Sequence, residues 1–176
     1  VQEATNHMFL RVDSGEEHIK RVKNLTKELL SQYDIIVISD YNKGFLLKKD
    51  IKFICDNHKN VFIDTKKKIN DFCINAKFIK INSIEYNNSL EYIEDNKWTT
   101  SKIIQTCGSD GCKLAGKTSP VEKVEIKDVC GAGDTFLASL CVKFQQTGDI
   151  EESIRFANEC ASIVVQLKGV NTVGKF

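Results

Sequence analysis

The chain is poor in the residues that mark special protein classes. One proline and ten glycines in 176 residues argue against a long disordered linker. Three histidines, and seven cysteines with no C-x-x-C pair, argue against a zinc site. The cysteines are Cys55, Cys73, Cys107, Cys112, Cys130, Cys141 and Cys160, an odd count. They read as free thiols of a reducing compartment, most of them small core residues. An excess of charge is lacking too: 25 Lys and Arg stand against 24 Asp and Glu, a net charge of +1. Nucleic-acid binders need a basic face, so nucleic acid is not an expected partner, although a local phosphate site stays open. No apolar run approaches the ~18 residues of a membrane span, and nothing resembles a signal peptide. The expectation is a cytoplasmic protein with no membrane partner. The first residue is Val1 and the single methionine is Met8, so the chain reads as a fragment.

What is present is ordinary globular composition, 41% apolar and 28% charged, in a chain long enough for one domain with a core. Ile19, Val22, Leu25, Leu29 and Leu30 recur at spacings of three and four and predict a helix over 16–32. The β-branched run at 34–39 predicts a strand buried on both faces, as in a parallel sheet. Gly44 follows in a loop, and a helix over 48–58 should bury Ile51, Ile54 and Cys55. Further strands are expected at 61–64, at 78–81 ending on Asn82, and at 102–106. The last of these turns through Gly108-Ser109-Asp110-Gly111 into 112–115, a hairpin pattern. A long helix is expected over 131–146 with Gly148 placed to stop it. The last helix should span 150–167, with Asp149 as N-cap and Glu151 and Glu152 at its positive end. Strands alternating with helices give an α/β protein with a mostly parallel sheet, without internal repeats or a clear domain boundary. The run Lys66-Lys67-Lys68 reads equally as a solvated loop or a functional one.

The chemistry concentrates in Asp128-Val129-Cys130-Gly131-Ala132-Gly133-Asp134-Thr135-Phe136. Gly131, Ala132 and Gly133 let the backbone approach another group closely where a helix begins. Unpaired N–H groups and a partial positive charge make that place an anion site suited to phosphate. Asp134 beside a phosphate would be repelled unless its charge had a use, and deprotonating an attacking hydroxyl is one. It reads equally as a first-turn acid favoured by the helix dipole.

This stretch resembles the C-terminal signature of the ribokinase-like (PfkB) carbohydrate kinases, and other segments agree in order. Asn82-Ser83-Ile84-Glu85 matches the N-x-x-E motif, and 106–111 resembles the T-x-G-x-x-G nucleotide loop. Phe156-Ala157-Asn158 resembles the F-A-N segment beside the adenine. Ser39-Asp40-Tyr41-Asn42-Lys43-Gly44, Ile63-Asp64-Thr65-Lys66 and Leu10-Arg11-Val12-Asp13 are similar to segments of bacterial D-glycero-β-D-manno-heptose-7-phosphate kinases. Thr65 stands where those kinases usually have proline, and Cys130 where threonine is common.

The resemblance implies a three-layer ribokinase-like fold with a mostly parallel central sheet. Residues 1–176 align with the C-terminal, ATP-binding and catalytic part of the kinase domain, and the N-terminal part is missing. It implies ATP-dependent phosphorylation of a sugar hydroxyl, with a sugar phosphate and ATP as the small-molecule partners. Asp134 would be the base, and the N–H groups of Gly131, Ala132 and Gly133 would steady the transferring phosphoryl group. Asn82 and Glu85 would hold Mg²⁺ through water; they read alternatively as helix caps. Thr106, Gly108, Gly111 and Asn158 would line the nucleotide pocket, with Lys66 near it. Asp40 and Lys43 would meet the sugar phosphate, or else lie on a plain surface turn. Asp128 and the Cys130 backbone match positions where some relatives bind a monovalent cation. A homodimer is one expectation for assembly. The rival readings are another sugar or nucleoside kinase of the family, a non-catalytic nucleotide-binding module, and an inert fragment.

Overall fold

A computed structural model describes residues 19–174. One six-stranded sheet organises them, in the order β1 (Ile36–Asp40), β2 (Val61–Thr65), β3 (Phe78–Asn82), β4 (Ile103–Thr106), β5 (Cys112–Leu114) and β6 (Lys117–Ser119). The first four strands pair parallel, and β4, β5 and β6 pair antiparallel. The helices are α1 (Lys27–Leu30), α2 (Lys48–Asn57), α3 (Ser83–Asn88), α4 (Leu90–Asp95), α5 (Ala132–Thr147) and α6 (Ile150–Val164). No helix among the described residues is long and apolar enough to cross a membrane.

Two cores make the sheet the middle of three layers. Val61, Ile63, Ile79 and Ile81 pack with Ile51 and Ile54 of α2 on one side. Phe62 and Ile104 point the other way, against Phe136, Leu137 and Leu140 of α5 and Ile154 of α6. The period-2 alternation of strand side chains assigns neighbours in one strand to opposite cores. Phe62 is fully buried, 5.7 Å from the Phe78 ring and 5.4 Å from the Phe144 ring. Phe62→Ala should therefore cost ~3–5 kcal/mol of stability, read as a lowered urea midpoint at unchanged slope.

Two local expectations need correction. The helix predicted over 16–32 is not formed over its described part: only Lys27–Leu30 is helical, capped by Thr26, whose side chain accepts from the Leu29 N–H at 3.2 Å. Residues 19–26 are irregular, with Asn24 at φ 57°, and Val22 N–H donates to Phe45 O at 2.9 Å. Val22 and Leu25 still reach the core, so their spacing reports burial rather than helical backbone. The strand at 34–39 is not covered on both faces: among the described residues β1 is the outermost strand of the sheet, and Val37 is 47% exposed. The layer formed by α5 and α6 sits over Phe62, Phe78 and Ile104, one and more strands away. The segment 10–13 lies outside the described residues.

The other elements fall where the pattern places them. Asp149 caps α6, accepting from the N–H groups of Glu151 and Glu152. Gly148, at φ 68°, ends α5 in the left-handed conformation that glycine adopts at no steric cost. All seven cysteines are free, and five are buried. Burial pushes the thiols of Cys55, Cys73 and Cys141 up to about 12, which keeps them protonated and inert.

Candidate active site

The carboxyl ends of β1, β2 and β3 and the start of α5 face one another, the place where open α/β sheets gather ligands. Gly131 precedes α5 at φ 79°, ψ −4°, a left-handed conformation. The loop before it is braced by Asp128, whose carboxylate accepts from Cys130 N–H at 2.9 Å and Gly169 N–H at 3.0 Å. Those bonds, led by the one to Cys130, hold the Asp128 carboxyl below its ordinary value. Its contribution to stability is present above that ordinary value and fades as pH falls through the depressed one. Asp128→Asn should flatten the acid limb of stability against pH, measured by thermal unfolding between about pH 5 and pH 2.

Within the turn, Ala132 N–H donates to Val129 O at 3.2 Å. Gly133 N–H lies in the first helical turn, where geometry leaves it without an intrahelical acceptor. Asp134 follows, exposed, and Tyr41 O–H donates to its carboxylate at 3.2 and 3.4 Å. Partial burial, with the Asp134 charge second, raises the Tyr41 phenol above its ordinary pKa. Tyr41 therefore stays a donor and fixes the orientation of the Asp134 carboxylate.

Beside this turn lies a cavity of about 420 Å³. Thr106, Gly108, Gly111, Ala132, Gly133 and Asn158 line it, with Val121, Val124, Phe136 and Ala161 supplying apolar wall. Its size and mixed lining are those of a small-molecule site. Asn158 is 6% exposed, and its amide donates to Ser119 O at 3.1 Å, fastening the β5–β6 hairpin to α6.

A second group collects at the strand ends. Asn82 and Glu85 form a capping box: Asn82 Oδ1 accepts from Glu85 N–H at 2.9 Å, and Glu85 Oε2 from Asn82 N–H at 2.8 Å. The other Glu85 oxygen takes a close ion pair from Lys66, which lies 4.0 Å from Asp64. Partial burial pulls the Lys66 pKa down, but the Glu85 bond and the charge of Asp64 outweigh it and hold it raised. Lys66 Nζ also sits 5.8 Å above the Tyr41 ring, which links this group to Asp134. Asp40 is buried and spent internally, accepting from Thr65 Oγ1 at 2.7 Å, Lys67 Nζ at 2.6 Å and Asn42 N–H at 3.1 Å. Lys43 is exposed on the following turn. The lysine run is thus largely wired rather than solvated, with Lys66 and Lys67 both ion-paired.

The described residues hold no group of three or more His, Cys, Asp and Glu placed to cage a metal. Asn82 and Glu85 still fit a hydrated Mg²⁺, which keeps its waters and takes one or two protein ligands plus phosphate oxygens. Tyr41, Asp64 and Lys80 carry no role in the sequence motifs, yet the fold sets them around Asp134 and Gly133. A signal existed for Lys80: a lysine inside the apolar strand Phe78-Ile79-Lys80-Ile81 needs a buried partner.

The sequence matches the profile of the pfkB family carbohydrate kinases over residues 23–174. The chain belongs to the pfkB family. Two curated relatives of this pfkB chain are both named bifunctional protein HldE. The Nitratiruptor protein is 29% identical over 96% of the chain, and the Hydrogenovibrio crunogenus protein 33% identical over 89%. The alignments cover 41% and 36% of those relatives, so the chain spans about two fifths of their length. Arabidopsis thaliana ribokinase, solved with ribose and ATP, superposes with a TM-score of 0.66 at 20% identity, over 81% of this chain and 53% of that one. Escherichia coli phosphofructokinase-2 gives 0.65 at 14% identity, over 81% and 55%. These likenesses establish the ribokinase-like α/β fold of the pfkB chain.

Proposed function

We propose that the protein transfers the terminal phosphoryl group of ATP to a sugar hydroxyl, with Asp134 as the base. One observation carries this reading. A carboxylate held by Tyr41 stands beside the Gly131–Ala132–Gly133 turn, next to a cavity sized for a nucleotide. A binding module has no use for a base there. The hydroxyl oxygen bonds to the terminal phosphorus as the bond to the bridging oxygen breaks, and ADP leaves. The hydroxyl proton passes to the Asp134 carboxylate. The N–H of Gly133 faces the developing charge, since phosphoryl transfer depends on positioning and electrostatics. Asn82 and Glu85 would hold Mg²⁺ through water, and the ion supplies charge neutralisation for the phosphates. Lys66 would then release Glu85.

The acceptor is D-glycero-β-D-manno-heptose 7-phosphate, giving the 1,7-bisphosphate for ADP-heptose and lipopolysaccharide precursor synthesis. The HldE relatives and the Ser39–Gly44 segment support it. Lys43, exposed on the turn after β1, would meet the sugar's phosphate. Calorimetric titration with Mg·ATP, followed by turnover on heptose 7-phosphate, ribose, fructose 6-phosphate and adenosine, tests both levels. Preferred turnover of the heptose supports the full reading. Turnover of another acceptor alone moves it to a different kinase of the family. Nucleotide binding without turnover on any acceptor leaves a binding module, and no binding sinks the proposal.

A further inference from the structure

One buried charge beneath the site has no part in the chemistry above. Lys80 is 5% exposed, in the interior of β3. Its ammonium donates to Asp64 Oδ2 at 2.6 Å, and Asp64 is itself 7% exposed. Lys80 lies directly against the anion turn: a Cβ built on Gly133 would sit 2.9 Å from its Nζ. The missing side chain of Gly133 is the space that the ammonium occupies.

This placement is costly. Burying a lysine charge needs compensation, and the positive end of a sixteen-residue helix makes the location worse. An apolar residue among Phe78, Ile79 and Ile81 would avoid both costs. The adjoining chemistry supplies a use for the charge. Asp134 is the residue next to Gly133, and a nucleotide phosphate brought to the turn is repelled by its carboxylate. A cation fixed beneath Gly133 opposes that repulsion in a medium where charges are poorly screened. An ammonium has three N–H donors, and Asp64 is the one acceptor that the described residues give it.

Resting on the kinase reading, we infer that Lys80 is a positioning residue for the terminal phosphates, its charge offsetting that of Asp134 beneath the Gly133 turn. The effect should grow with the number of phosphates and vanish for a ligand without them. Lys80→Met alone leaves Asp64 buried and unpaired, so it is compared with Asp64→Asn/Lys80→Met, which removes both charges. Adenosine, ADP and ATP, the latter two with Mg²⁺, are titrated into each folded protein by calorimetry, with kcat and KM for turnover.

The expected result for the double variant is wild-type adenosine affinity, with ATP bound roughly tenfold or more weakly and ADP in between. A raised KM for ATP and a lowered kcat should accompany it. A purely structural pair would move none of these in the folded double variant. Equal ATP affinity in the double variant and the wild type overturns the inference while leaving the kinase reading standing. Equal weakening for adenosine and ATP also overturns it, because the cavity itself would then have been damaged. Failure of the wild type to bind any of the three nucleotides removes the kinase reading, and this inference falls with it.

Discussion

Asp134→Asn is expected to lower kcat by ~10² to 10⁴-fold while leaving Mg·ATP binding intact or slightly tighter. The substitution keeps the shape of the side chain and removes its ability to take a proton. Tyr41, which donates to both carboxylate oxygens, retains an acceptor in the amide oxygen. The cavity wall is unaffected, because Asp134 points away from it toward Tyr41. Loss of one negative charge from the first turn of α5 costs at most ~1 kcal/mol of stability. Turnover measured beside calorimetry separates the two effects: kcat should collapse while Kd for Mg·ATP holds. Full turnover by the Asn variant would remove Asp134 from its role. Loss of binding would place the carboxylate in the nucleotide site instead.

Much of this arrangement is legible in the sequence because its causes are local. β2 and β3 are short apolar runs, and buried parallel strands demand such runs. The Gly131–Gly133 turn reads directly, since a left-handed Gly131 before a helix has a one-residue cause. Thr106, Gly108, Gly111 and Asn158 were expected together, and they line one cavity. The misses have tertiary causes. Spacing at three and four residues says which side chains are buried, and residues 19–26 bury Val22 and Leu25 without forming a helix. β6 is Lys117-Thr118-Ser119, with no apolar residue to announce it; it exists because β5 offers an edge. Tyr41 meets Asp134 across 93 positions, and Lys80 meets Gly133 across the sheet. Neither contact has a local signature. Lys66-Lys67-Lys68 stays open in sequence between a solvated and a functional loop because its acidic partners lie on β1, β2 and α3.

Gly111→Ala should be the most damaging glycine-to-alanine change among the described residues. Gly111 closes the turn after β4 at φ 82°, ψ −129°, a conformation open essentially to glycine alone. A Cβ there would lie 2.1 Å from Ser119 O and 3.0 Å from Pro120 Cα. Both are backbone atoms, so no side chain can swing aside. Backbone strain and overpacking each cost ~1–3 kcal/mol, about 2 to 6 kcal/mol together. The damage has a direction as well as a size. Ser119 O accepts from the Asn158 amide at 3.1 Å, and both Gly111 and Asn158 line the cavity. Pushing Ser119 away therefore opens the cavity where the hairpin meets α6. Chemical denaturation should show the stability loss, and Mg·ATP affinity should fall even below the unfolding temperature. Gly108→Ala is the control on the same loop. Its φ is 59°, but a Cβ there meets nothing within 4 Å. It should cost only ~1–2 kcal/mol of backbone strain, less than Gly111→Ala, and leave the Ser119–Asn158 contact in place. Equal losses in the two variants would mean that left-handed backbone alone, and not the contact with Ser119, makes Gly111 necessary.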